Sequence, residues 1–168
     1  QAAFHDKRYE DGKLTDHPFN LPRYQGARIL LVNKDFGSGS SREHAPQALY
    51  HWGIHVIVSE SYADIFEKNC RRTGIPAVTV LHEGMETLMR LVQQTPELEL
   101  RIDLNRKILS YGSGDSYREI PINIPEPTRI ALTRGYWDST KLLLQNTEAV
   151  RAFEATRPKI IDYSSIQQ

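Results

Sequence analysis

Three short apolar runs, each followed by a stretch of helical periodicity, constrain this chain more than anything else in it. Ile29-Leu30-Leu31-Val32 is the first, Ile54-His55-Val56-Ile57-Val58 the second, and Ile75 to Leu81 the third. Short runs that do not alternate with polar residues fit strands covered on both faces. Between and after them the spacing changes. A stretch running through Trp52 stops at Gly53, Ser59 to Asn69 places Tyr62, Ile65, Phe66 and then Cys70 at helical spacing, and Met85, Leu88, Met89 and Val92 recur at i, i+3, i+4 and i+7. A strand–helix unit repeated three times predicts an α/β fold. Its central sheet is mainly parallel, its crossovers right-handed, and its flanks helical.

The last third changes character. Leu98 to Leu104 alternates apolar and polar residues, the mark of a half-exposed strand. Lys107 to Tyr111 and Arg118 to Ile124 bracket the turn Gly112-Ser113-Gly114-Asp115, which predicts an added antiparallel meander. Glu126-Pro127 opens a helix with proline in its first turn. Asp138 to Gln145 and Thr147 to Thr156 read as two further short helices, with Thr147 as N-cap. Residues 1–27 read as an irregular arm, held down by Phe4, Tyr9, Phe19 and Tyr24, and 157–168 as a tail. No repeat or linker interrupts the 168 residues, so one domain is expected.

Charge narrows the function. Lys+Arg and Asp+Glu both number 21, for a formal net charge of zero. A nucleic-acid or anionic-membrane binder draws its affinity from excess positive charge, so neither class is expected, whereas a protein partner fits. No apolar run approaches the roughly 20 residues that span a bilayer. Cys70 is the single cysteine, which excludes an internal disulfide and a cysteine-only metal or iron–sulfur site on one chain; it fits a cytoplasmic setting. The start, Gln1-Ala2-Ala3-Phe4, lacks an initiator Met and an apolar leader core, and is read as a chain whose natural start is missing.

The chemistry concentrates in Asp35-Phe36-Gly37-Ser38-Gly39-Ser40-Ser41-Arg42-Glu43-His44-Ala45-Pro46. It follows a buried strand and precedes a helix, and ligands of α/β sheets bind at that edge. Gly37 and Gly39 permit unusual torsions and close backbone approach. Amides at a helix start attract anions, and the Arg42 guanidinium can grip a carboxylate through two parallel bonds. A serine among such donors has its alkoxide stabilised. A competing reading makes Ser40-Ser41-Arg42-Glu43 a capping box, with serine at N-cap and Glu43 at N3. Pro46 opposes it: a regular helix from Ser41 would set the proline ring against the Arg42 carbonyl. The helix is therefore expected to begin at Glu43 to Ala45. The dinucleotide fingerprint lacks its third glycine, the Walker lysine is missing, and neither serine sits in a G-x-S-x-G elbow.

Gly39-Ser40-Ser41-Arg42-Glu43-His44-Ala45 resembles the G-S-S-R-E-H-A signature of the swivelling domain of the aconitase superfamily. Ser61-Tyr62-Ala63-Asp64-Ile65-Phe66, Asn69-Cys70 and Thr73-Gly74-Ile75 resemble the run that follows it there. Tyr9 to Gly12 and Phe153 to Pro158 are similar to the small-subunit family of the bacterial 3-isopropylmalate dehydratases. The resemblance implies a swivelling β/β/α domain. It implies a lyase that interconverts 2- and 3-isopropylmalate by dehydration and rehydration in leucine biosynthesis, completed by a large subunit carrying a [4Fe–4S] cluster. This chain itself would bind no cofactor or metal. On the matching positions, Ser40 would be the alkoxide base, Arg42 the carboxylate clamp, and Ser41 and the Gly39 region further substrate contacts. The family's N-terminal segment, with its N-x-D-T-D motif and specificity loop, has no counterpart in these residues. A homoaconitase small subunit or related hydro-lyase is the alternative enzyme, and an anion- or nucleotide-binding module the alternative class.

His44, one turn from the loop, is read as orienting it, with catalysis the competing role. Cys70 is expected to be a small buried hydrophobe. His5, His17, His51, His55 and His82 show no metal-ligand spacing, and Arg71-Arg72 reads as a solvated helix end.

Overall fold

The computed structural model describes residues 3–39, 43–136 and 147–156. The N-terminal arm is more regular than its turn signals predict. It holds a single helical turn, α1 (His5–Arg8), and a hairpin of β1 (Tyr9–Glu10) and β2 (Lys13–Leu14). Two 3-10 turns follow, at Pro18–Asn20 and Pro22–Tyr24. The hairpin turns on Asp11 and Gly12, both at positive φ (49° and 76°), the torsions a tight two-residue turn demands. Its strands are too short to show periodicity. The expected aromatic anchoring holds for Phe19, which is buried and stacked on Trp52 at 4.0 Å between ring centroids.

Next come β3 (Ile29–Leu31), α2 (His44–Trp52), β4 (Val56–Ser59), α3 (Asp64–Thr73), β5 (Ala77–Thr79) and α4 (His82–Gln94). The three strands form a parallel sheet in the order β3-β4-β5. Both faces are covered, which explains the unbroken apolar runs. Along β4, Ile57 joins one cluster with Leu49, Phe66, Cys70 and Ala77, while Val58 joins another with Val78, Met85, Leu88 and Leu109. Each such side chain, wholly buried, contributes about 1.5–3 kcal/mol. The second helix begins five residues later than its expected start at Ser59, because Ser59 completes β4 and residues 61–63 are drawn to the loop after β3.

The meander is as expected in order but shorter: β6 (Leu100–Asp103), β7 (Ile108–Tyr111) and β8 (Arg118–Pro121), all antiparallel. Thr79 and Asn123 exchange backbone bonds of 2.9 and 2.8 Å, fastening the segment after β8 to β5. Helix α5 (Glu126–Arg134) follows, with Pro127 in its first turn. Antiparallel sheet, parallel sheet and helices α2 and α3 thus stack as the β/β/α layers expected. The chain divides into two compact units, Gln1–Trp137 and Asp138–Gln168; the second holds α6 (Thr147–Thr156). The helix expected at 138–145 and the tail at 157–168 lie outside the described residues.

Candidate functional site

Chain leaving β3 is fastened to chain leaving β4. Val32 N–H donates to Val58 O (3.0 Å). The buried Ser59 hydroxyl donates between the carbonyls of Asn33 (2.7 Å) and Ser61 (2.8 Å). Asp35 stands at φ 57°, and its N–H donates to Ser61 Oγ at 2.8 Å while Ser61 Oγ donates back to Asp35 Oδ1 at 2.9 Å. Phe36 then rejoins the parallel pairing opposite Tyr62: its N–H donates to Ser61 O (3.1 Å), and its carbonyl accepts from Ala63 N–H (3.0 Å). Ser38 Oγ donates to Asp35 O. The loop is therefore held up to Ser38 by a lattice anchored at the end of β4.

Gly39 comes next, exposed, with open space where a Cβ would stand. Ser40, Ser41 and Arg42 lie outside the described residues. The chain resumes at Glu43, the N-cap of α2, in helical torsions and with no side-chain cap bond. The helix begins at His44, within the expected window. Glu43 thus precedes the helix instead of occupying its third position, and the capping-box reading fails. Pro46 falls in the first turn, where a missing N–H costs nothing. The loop consequently spans from β3 to the start of α2 with Ser40 to Arg42 between its two fixed ends. His44 is exposed and shares the wall of a cavity of about 580 Å³ with Gly37, Gly39, Phe36, Ala48 and Phe66.

Ser59, Ser61 and Tyr62 were not assigned roles from sequence, although they follow the second strand at the edge that carries the loop. Tyr62 OH lies 2.9 Å from both the Ile57 and Val78 carbonyls, and burial pushes its phenol well above the ordinary range, so it is a neutral donor. Cys70 is buried, and burial, helped by Glu67, pushes its thiol up to about 12; it is a hydrophobe, as expected, with no thiolate to offer. Among the described residues no group of three or more His, Cys, Asp or Glu is arranged to hold a metal ion. Nor is any helix there long and apolar enough to cross a membrane.

At the same sheet edge His82 Nδ1 meets Glu60 Oε2 at 3.0 Å and His82 Nε2 meets Glu86 Oε1 at 3.4 Å. The Glu60 hydrogen bond, then the charges of Glu60 and Glu86, raise the His82 pKa above its ordinary 6.5. These partners favour the imidazolium. Their contribution is complete below about 6.5 and is lost as pH climbs through the higher folded value. In Glu60→Gln, the His82 midpoint followed by NMR is expected to fall towards 6.5; an unmoved midpoint would show that Glu60 is not the cause.

Residues 1–83 match the aconitase C-terminal domain family. The chain is 43% identical over 159 residues to a 3-isopropylmalate dehydratase small subunit of Thermus thermophilus, covering 94% of this chain and 77% of that protein. It is 40% identical over 152 residues to a small subunit of the same name from Synechocystis sp., covering 90% and 73%. The crystal structure of a 3-isopropylmalate dehydratase from Methanocaldococcus jannaschii superposes with a TM-score of 0.52 at 21% identity, over 80% of this chain and 84% of that one. That last likeness speaks to the fold alone.

Proposed function

Since this chain belongs to the family of 3-isopropylmalate dehydratase small subunits, we propose that it is one part of a hydro-lyase that is active only when joined to its large subunit. The reaction interconverts 2-isopropylmalate and 3-isopropylmalate through an unsaturated diacid, a step of leucine biosynthesis. The names of its relatives support this substrate over homoaconitate. A [4Fe–4S] cluster does not fit this chain, whose one cysteine is buried and held as the thiol; the proposal places it on the large subunit, as the Lewis acid at the departing hydroxyl. A cytoplasmic setting goes with the lone free thiol.

This chain's share is acid–base and carboxylate chemistry. A proton next to a carboxylate is weakly acidic, so removing it needs a base and a preorganised cation together. Ser40 is the base. Arg42 grips the carboxylate and stabilises the charge that develops on it. Ser41 and the backbone at Gly39 add hydrogen bonds. The observation that supports the reading is the spacing of fixed points: a lattice that ends at Ser38 and a helix that starts at His44 both lie at the carboxyl edge of the parallel sheet, where ligands of such sheets bind, and few residues separate them in sequence.

The test mixes the full chain with its cluster-loaded large subunit and follows hydration of isopropylmaleate. Activity in the mixture, and in neither component alone, is expected. Activity that prefers homoaconitate, or tight nucleotide binding by this chain alone, would overturn the proposal.

A further inference from the structure

We infer that the Ser61 hydroxyl is a positioning group for the reaction: through Asp35 it fixes the end of the loop from which the chain runs on to Ser40. The inference rests on the function proposed above. On the β3 side the loop is tied at intervals, and the ties thin out towards Ser40. Val32 is bonded to Val58, and Phe36 to Ser61 and Ala63, all through backbone. Among the described residues, the last hydrogen bond before Gly39 runs from Ser38 Oγ to Asp35 O. On the α2 side, Glu43 makes no side-chain cap bond and stands one residue further from Ser40 than Ser38 does.

That last tie is only as firm as Asp35. Asp35 stands at φ 57°, a left-handed conformation that a residue with a side chain leaves unless something holds it. Ser61 Oγ holds it with both of its functions. It accepts from Asp35 N–H at 2.8 Å and donates to Asp35 Oδ1 at 2.9 Å. One hydroxyl therefore fixes main chain and side chain of the residue whose carbonyl anchors Ser38. Without it, Asp35 is free to relax to negative φ, which reorients the peptide that carries the Ser38 acceptor. Consecutive Cα atoms are about 3.8 Å apart, so Ser40 lies within about 7 Å of Ser38 whatever the torsions between them. A shift of Ser38 is thus passed on to Ser40.

Little of the fold depends on the same hydroxyl. Its two bonds to Asp35 are exposed, so water takes up the groups when the bonds are lost. The Ser61 backbone keeps its own ties: its carbonyl accepts from Ser59 Oγ at 2.8 Å and from Phe36 N–H at 3.1 Å. Chemistry is more sensitive than stability here, because a reacting group misplaced by about 1 Å loses about 10² in rate.

The test uses the full chain saturated with its cluster-loaded large subunit and follows hydration of isopropylmaleate. In Ser61→Ala, kcat is expected to fall roughly 10–100-fold while melting temperature and affinity for the large subunit stay at the parental values. Asp35→Ala should lower kcat into the same range, and the double variant should be no slower than the slower single one, because both changes break one tie. Asp35→Asn keeps the acceptor for Ser61, and asparagine tolerates positive φ, so its kcat should stay near the parent's. A parental kcat in Ser61→Ala, losses that multiply in the double variant, or an Asp35→Asn as slow as Asp35→Ala overturns the positioning role and leaves the proposed function standing. So does a loss of kcat in Ser61→Ala that comes with a matching loss of melting temperature, which would make the hydroxyl part of the fold alone. No hydration by the unmodified chain with its large subunit overturns both.

Discussion

Ser40→Ala is expected to lower turnover by roughly 10²–10⁴-fold, the usual scale for a general base. The change removes one oxygen, and the bonds that fix the loop among the described residues do not involve it. Asp35, Phe36 and Ser38 are held by Ser61, Ala63 and their own backbone, and the N-cap of α2 is Glu43. Melting temperature and affinity for the large subunit should therefore match the parent while kcat falls. That separation is the informative part. A serine serving as a helix cap would, on truncation, cost about 1 kcal/mol of stability and leave chemistry alone. Turnover near the parental value would remove Ser40 from the mechanism.

The parallel sheet is legible because its strands have both faces covered, fully at Ile57 and Val58 and partly along β3, which writes short unbroken apolar runs into residues 29–32 and 54–58. Pro46 was the informative residue for the site. Its steric demand on the fourth residue back moves the expected helix start to Glu43 to Ala45, and the helix begins at His44. What sequence left unread is chemistry between segments. The pairing of Ser61 with Asp35, 26 residues apart, has no local signature. Nor has the contact between Glu60 and His82, which share an edge only because β4 and β5 are neighbours. The α3 boundary was misplaced for a related reason: helical spacing reaches back to Tyr62, but the backbone of residues 61–63 is committed to Phe36. In the arm, the hairpin strands of two residues each were too short for any period to appear.

Gly37→Ala should be the most destabilising small substitution in the loop, and Gly39→Ala its neutral counterpart. From the sequence both glycines permit unusual torsions and close backbone approach, but the structure separates them. Gly37 stands at φ +90°, a conformation unfavourable for a residue with a side chain, and an added Cβ would run into Cβ, Cγ and Cδ1 of Phe66. Phe66 cannot easily yield. It is buried in the core, edge-on to Phe36 at 5.2 Å and stacked with Tyr62 at 6.3 Å between centroids. Overpacking a filled site costs typically 1–3 kcal/mol, and the torsional strain adds about 1 kcal/mol. A total of about 2–4 kcal/mol corresponds, in a chain of this size, to a melting temperature lower by roughly 5–15 °C. At Gly39 no positive φ is imposed and no atom of the described residues lies within 4 Å of an added Cβ, so thermal unfolding should be unchanged. Equal melting temperatures for the two variants would mean that the Phe66 contact does not hold the loop. The expected split assigns Gly37 to the fold, where it lets α3 close against the chain leaving β3, and leaves Gly39 free of that demand.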